Sequence, residues 1–216
     1  SDFFQRFFDF GDFLVDNAAV KFNLGFAMGV LFANISSSPF IVQQHYGFSA
    51  FEFSLFFGIN ALAIGLAAGL SVKFKNPEHA MFLGSVGMTM MSAVEFVILS
   101  NEYHFAVYEA VLFVLLFSMG LTFTASTTLA MDCERANSGT ASALFGAAGF
   151  AFGGIVSPLV GLGDILSTTG LIFFVCSVCS LCFSVLAMNQ THTNLWGSFK
   201  CKMGPVTRFV FLRREK

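Results

Sequence analysis

The sequence predicts an all-α polytopic membrane bundle of six transmembrane helices, and three observations predict it: an apolar composition, six long apolar runs, and the one-sided placement of every basic residue. Of 216 residues, 56% are hydrophobic and 11% are charged, against roughly 25% charged in an ordinary soluble domain. A water-soluble fold of this size could not bury so much apolar side chain. Thirty-one Phe against one Trp and three Tyr make the aromatic content almost purely apolar and leave few residues to mark the interfaces.

A helix rising about 1.5 Å per residue needs about 20 apolar residues to cross the hydrocarbon core. Six stretches meet that requirement: 22–43, 53–72, 80–99, 105–131, 141–160 and 166–188. Four have no charged residue, and the third and fourth carry one acid each, Glu95 and Glu109. An even number of spans puts both termini on one side, with the loops 71–79 and 132–139. All eleven basic residues (Arg6, Lys21, Lys73, Lys75, Arg135, Lys200, Lys202, Arg208, Arg213, Arg214 and Lys216) fall there. The loops 44–52, 100–104 and 161–167 have none. Lys and Arg concentrate on the cytoplasmic side of membrane proteins, so both termini are expected in the cytoplasm and the chain in the inner (plasma) membrane.

Three regions follow: a linker helix (1–20), the six-helix bundle (21–188) and a basic cytoplasmic tail (189–216). In the first, Phe3, Phe4, Phe7, Phe8, Phe10, Leu14, Val15 and Ala18 share one arc of a helical wheel, opposite Asp2, Gln5, Arg6, Asp9, Asp12 and Asp16. Such an amphipathic helix lies at an interface, and its acidic face favours docking on protein over anionic lipid. The five Cys suggest no extracellular framework, so reduced thiols are expected.

Close helix packing in lipid relies on small residues, which Gly25 and Gly29, Gly65 and Gly69, and the series Gly139, Ser142, Gly146, Gly149, Gly153 supply. Pro158 removes a backbone donor near the end of the fifth span and can bend it. Two polar stripes stand out. In the first span Asn34 and Ser38 share a face beside Ser36, Ser37 and Pro39. In the fourth, Ser118, Thr122 and Ser126 recur every four residues, flanked by Thr124, Thr127 and Thr128. Neutral hydroxyls and amides facing inward could line a substrate cavity for neutral or lipophilic molecules, or join helices by hydrogen bonds; Asn34, Ser37, Ser38, Ser118, Thr122 and Ser126 are the cavity candidates. Asn60 is of the same kind. Glu95 and Glu109 are candidates for proton coupling, because acids within spans are costly and tend to be functional. One to two turns from the outer interface, they also fit hydrated helix ends.

Catalysis and cofactors find no support. Gly161-Leu162-Gly163-Asp164 has the form of an intramembrane aspartyl protease motif, but the nearest second acid in a neighbouring span, Asp132, lies at the opposite end, roughly the ~30 Å membrane core away. Cys176, Cys179 and Cys182 sit mid-span without an acid or His, as small packing residues do. His45, His79, His104 and His192 show no metal-ligand spacing. No phosphate-binding glycine loop followed by Lys appears, and nothing points to nucleic acid.

Ser36-Ser37-Ser38-Pro39-Phe40, then Tyr46-Gly47-Phe48-Ser49, then Phe56-Phe57-Gly58-Ile59-Asn60-Ala61-Leu62 follow one another in a way that resembles bicyclomycin-resistance-type (Bcr/CflA) efflux proteins, drug:proton antiporters of the major facilitator superfamily. The run Gly139-Thr140-Ala141-Ser142-Ala143-Leu144-Phe145-Gly146 is similar to their penultimate helix. The resemblance covers about 22–188. It implies the second half of a twelve-helix transporter, with spans one and four lining the cavity, two and five facing the other half, and three and six facing lipid. The implied partners are the bilayer, an N-terminal six-helix half or a second copy, and a small amphiphilic substrate. The acidic and basic positions of the family's first half have no counterpart here. A non-transporting assembly or regulatory subunit, and a half-size transporter acting as a homodimer, fit the same six spans.

Overall fold

The computed structural model describes residues 18–132 and 138–194; the amphipathic arc at 3–15 and the tail beyond 194 lie outside them. Within the described residues the chain is helical apart from short loops, with no strand, and forms six helices long and apolar enough to cross a membrane. These are α1 (Ala18–Pro39), α2 (Ala50–Ser71), α3 (Pro77–Ser100), α4 (Phe105–Asp132), α5 (Ser138–Leu159) and α6 (Ile165–Asn194). The chain is therefore an integral membrane protein.

The helix ends follow from local chemistry. Pro39 lacks an amide hydrogen, and α1 passes at that point into a wider π-helical turn, Phe40–His45. Gly47 then takes φ +76°, a left-handed conformation that Gly adopts without steric cost. This turn brings Phe48 back over the bundle, its ring 4.4 Å from that of Phe105. α2 begins three residues earlier than its apolar run, because Ser49 and Glu52 form a capping box: the Ser49 hydroxyl accepts from the Glu52 amide and the Glu52 carboxylate accepts from the Ser49 amide. Pro77 opens α3, where a missing amide hydrogen costs nothing. α6 extends to Asn194, past its last apolar residue, since helical hydrogen bonding continues after the chain leaves the apolar layer.

α1 is central, packed against α4, α5 and α6; α4 also packs on α2 and α3. Glycines set the closest approaches. A methyl group on Gly84 would sit 2.8 Å from both the Ser118 carbonyl oxygen and the Thr122 amide nitrogen, and one on Gly170 would sit 2.9 Å from the Phe96 backbone. A methyl on Gly120 would lie 3.0 Å from Ile64. The faces are covered unequally. Half of the central window of α1 and of α4 is buried, against 17% for α2 and 28% for α5. Gly58, Gly65 and Gly69 of α2, and Gly146 and Gly154 of α5, look onto open space.

Candidate functional site

The polar residues of the six spans fall into two groups, one towards each end of the bundle. At the end holding the N-terminus of α1, Asn23 is fully buried. Its amide nitrogen donates to the Ser180 carbonyl (2.7 Å), the Ser180 hydroxyl (3.0 Å) and the Ser85 hydroxyl (3.2 Å), while its carbonyl accepts from Ser126 (2.7 Å). One side chain thus joins α1, α3, α4 and α6. Thr89 adds a bond to the Ser177 carbonyl at 3.0 Å, again between α3 and α6. Sequence reasoning missed Asn23 as a centre. The signal was depth: Asn23, Ser85 and Ser126 lie within about three turns of the same-side ends of α1, α3 and α4.

The fourth-span stripe belongs to this tightly packed side. Ser118 and Thr122 face the glycines of α3, and each hydroxyl donates to its own helix, to the Val114 and Ser118 carbonyls. Ser126 serves Asn23. In this conformation all three lie between helices, and the more open hydroxyls of α4 are Thr124, Thr127 and Thr128. The first-span group is also inward. Ser38 donates to the Asn34 side-chain carbonyl at 2.9 Å and Ser37 to the Ala33 carbonyl at 2.9 Å. Ser36 shares a hydrogen bond of 2.6 Å with Ser157, tying α1 to α5 beside Pro158.

The second group lies at the other end. Glu95, expected at a hydrated helix end, is instead completely buried, and neither carboxyl oxygen has a hydrogen-bond partner among the described residues. The physical reason is the aromatic cover that follows α1. Tyr46, Phe48 and Phe56 meet Phe105 in edge-on or tilted ring contacts, with Tyr46 5.8 Å from the ring of Tyr108. Tyr46 donates to the Tyr103 carbonyl at 2.8 Å, fastening this cover to the next loop. The Tyr46 phenol is pushed above its ordinary value, first by burial and then by Glu95 and Glu102. Glu109, half-buried, accepts from the Asn60 amide at 2.9 Å, which joins α4 to α2. Tyr108 is fully buried; its hydroxyl faces Ser38 without a hydrogen bond of regular geometry.

A third feature escaped the sequence reading. An apolar groove of ≈ 250 Å³ runs between α1 and α5 near the N-terminal end of α1. Phe22, Gly25, Phe145, Gly149 and Phe152 line it, with Lys21 at one end, 5.8 Å from the centroid of the Phe145 ring. Small residues on both helices open the space and large aromatic residues wall it, so it suits a flat apolar body.

The motifs set aside on chemical grounds have structural roles. Asp164 accepts from the Ser167 amide (3.0 Å) and hydroxyl (2.9 Å) and caps α6. These bonds, the amide first, hold its carboxyl below the usual carboxylate range. Cys176, Cys179 and Cys182 are free thiols. Among the described residues no three His, Cys, Asp or Glu side chains gather.

Fold and site together define an integral membrane protein built on a six-helix bundle with polar groups buried between its spans. No family model matches the chain. It is 34% identical, over 191 residues, to an uncharacterized MFS-type transporter, YdgK, of Bacillus subtilis (strain 168); the match covers 85% of this chain and 48% of that protein. The chain thus spans about half the length of the curated relative it matches.

Proposed function

We propose that this chain is the C-terminal six-helix half of a major facilitator superfamily transporter of the bicyclomycin-resistance type, exporting small amphiphilic compounds in exchange for protons. The observation that carries the reading is the uneven cover of the bundle, set beside a similar MFS-type transporter of twice its length. The two least-covered helices, α2 and α5, are those the resemblance assigns to the junction with another half, and their open glycines suit close helix approach. Alternating access rocks one such bundle against another around a central site. The partner is a second six-helix bundle, and both termini lie in the cytoplasm of the inner membrane.

The aromatic groove between α1 and α5 receives the apolar body of the substrate. Asn34, Ser37 and Ser38 supply polar contacts further along α1. Ser118, Thr122 and Ser126 come within reach when α4 shifts against α3. Glu95 and Glu109 take up and release the proton. The test uses vesicles holding the chain together with its partner bundle, a fluorescent lipophilic cation and an imposed pH gradient. Gradient-driven efflux that falls at least tenfold in Phe152→Ala is expected. Efflux unchanged by that substitution would remove the groove from the path. Absence of any gradient-dependent movement, with the paired bundles intact by cross-linking, would sink the reading.

A further inference from the structure

The groove between α1 and α5 is walled by rings that their neighbours hold in place. Phe152 lies over α1 where Gly25 and Gly29 leave room for it: a methyl group on Gly29 would come within 3.0 Å of its ring, and one on Gly25 within 3.8 Å. Phe152 also meets Phe26 edge to face, with ring centroids 5.0 Å apart. Phe22 stacks on Phe183 at 5.2 Å. A third ring, that of Phe145, is buried. Walls fixed in this way need little ordering when a ligand enters.

Lys21 is the single polar or charged side chain among the residues that line the groove, and no acid accompanies it there. It stands at one end, its ammonium 5.8 Å from the centroid of the Phe145 ring. The α5 lining from Phe145 to Ile155 spans about 15 Å at the helical rise. A ligand lying along the groove therefore meets apolar surface over its body and a positive charge at one end. An ammonium has three donor hydrogens, so Lys21 can meet a ligand oxygen while keeping its contacts within the chain.

The two parts of the groove act on different parts of a ligand. Burial of a flat body against the Phe rings is favourable whatever charge the head carries, so a lipophilic cation also enters. Discrimination arises at the head, where Lys21 attracts a carboxylate and repels an ammonium. The space of ≈ 250 Å³ is below the roughly 300–1,000 Å³ of drug-sized sites, and it suits a compact ring system better than a two-chained lipid.

We propose that Lys21 sets the charge preference of the α1–α5 groove, which takes compact aromatic amphiphiles with an anionic head ahead of the matching cations. This inference deepens the transport reading and rests on it: it names the preferred substrate class of the groove assigned there to the substrate's apolar body.

Equilibrium binding to the purified full chain in phosphatidylcholine nanodiscs tests it, with lipid-only discs as the blank. The probes are tritiated naphthylacetate and naphthylethylammonium at neutral pH, where both heads are ionised. The wild-type chain should bind the anion about fivefold more tightly than the cation, the scale of one partly screened charge pair. Lys21→Gln should bring the two within about twofold of each other, and Lys21→Arg should keep the preference. Phe152→Ala should weaken both probes to a similar extent, because it acts on the body. Helical circular dichroism confirms that each variant is folded. An unchanged anion preference in folded Lys21→Gln would overturn the proposal, as would tighter binding of the cation by the wild-type chain. Displacement of naphthylacetate by phosphatidylglycerol added to the discs would assign the groove to lipid and overturn it as well. If Phe152→Ala weakens both probes and Lys21→Gln leaves their ratio alone, the groove stands as the substrate site and only the charge preference falls. If Phe152→Ala alters neither, the groove itself is removed, and both readings of it fall together.

Discussion

Asn23 and Glu95 are equally buried and carry polar groups of similar size, yet their surroundings differ completely. Around Asn23 each side-chain polar atom meets a partner from another helix, and four helices converge on it. At Glu95 neither carboxyl oxygen has a hydrogen-bond partner among the described residues. A satisfied polar centre stiffens a bundle, because any helix movement must break hydrogen bonds in an apolar medium. An unsatisfied one costs stability. The first end of this bundle is therefore a structural joint, and the second holds a buried acid that no hydrogen bond secures.

The comparison can be broken most easily at Asn23. Asn23→Ala removes four hydrogen bonds and leaves the Ser126 hydroxyl without its acceptor, while Ser85 keeps its bond to the Met81 carbonyl, so a loss of about 2 kcal/mol is expected, within the range for stranding buried polar groups. Thermal unfolding in detergent measures it, and a melting point equal to wild type would show that the joint carries no load. Ser126→Ala removes one of those bonds and should cost about 1 kcal/mol. The double variant should cost less than the sum of the two, since both remove the same bond. Glu95→Gln should have the opposite sign. It replaces an unpaired acid with a neutral group of the same shape, and a gain of up to about 1 kcal/mol is expected. A loss of 2 kcal/mol or more would mean that Glu95 is paired after all and that the two ends are alike.

How much of this was legible in the residues differs between the two ends. The six spans could be read because apolar length is a one-dimensional property, and α1 to α6 lie where the runs place them. The polar depth match of Asn23, Ser85 and Ser126 was legible in principle, but which faces meet, and that Ser180 joins them, depends on packing. For the same reason the stripe of Ser118, Thr122 and Ser126 could be seen, though not that it faces Gly84 and Gly87 of α3. The burial of Glu95 could not be read from its position near a span end. It follows from the turn after Pro39 and the left-handed Gly47, which fold Tyr46 and Phe48 over the bundle, and that is a three-dimensional consequence of a local conformation. The groove between α1 and α5 was hidden likewise, since its walls come from residues more than a hundred positions apart.

Asp164 gives the smallest expected effect and the cleanest control, because its carboxyl is exposed and one of its oxygens accepts two hydrogen bonds. The Ser167 amide and hydroxyl hold its folded-state titration below that of the unfolded chain. The sign follows. A depressed carboxyl contributes stability above its unfolded value near pH ~3.9 and loses it as pH falls through the lower folded value. Screening by water keeps the contribution to about 0.5 kcal/mol at most. Asp164→Ala should therefore lower the melting point slightly at pH 7, and the difference from wild type should shrink as pH falls below ~3.9 and the wild-type carboxylate is protonated. A difference independent of pH would assign the effect to the backbone turn at Gly163 and remove the carboxylate from the account.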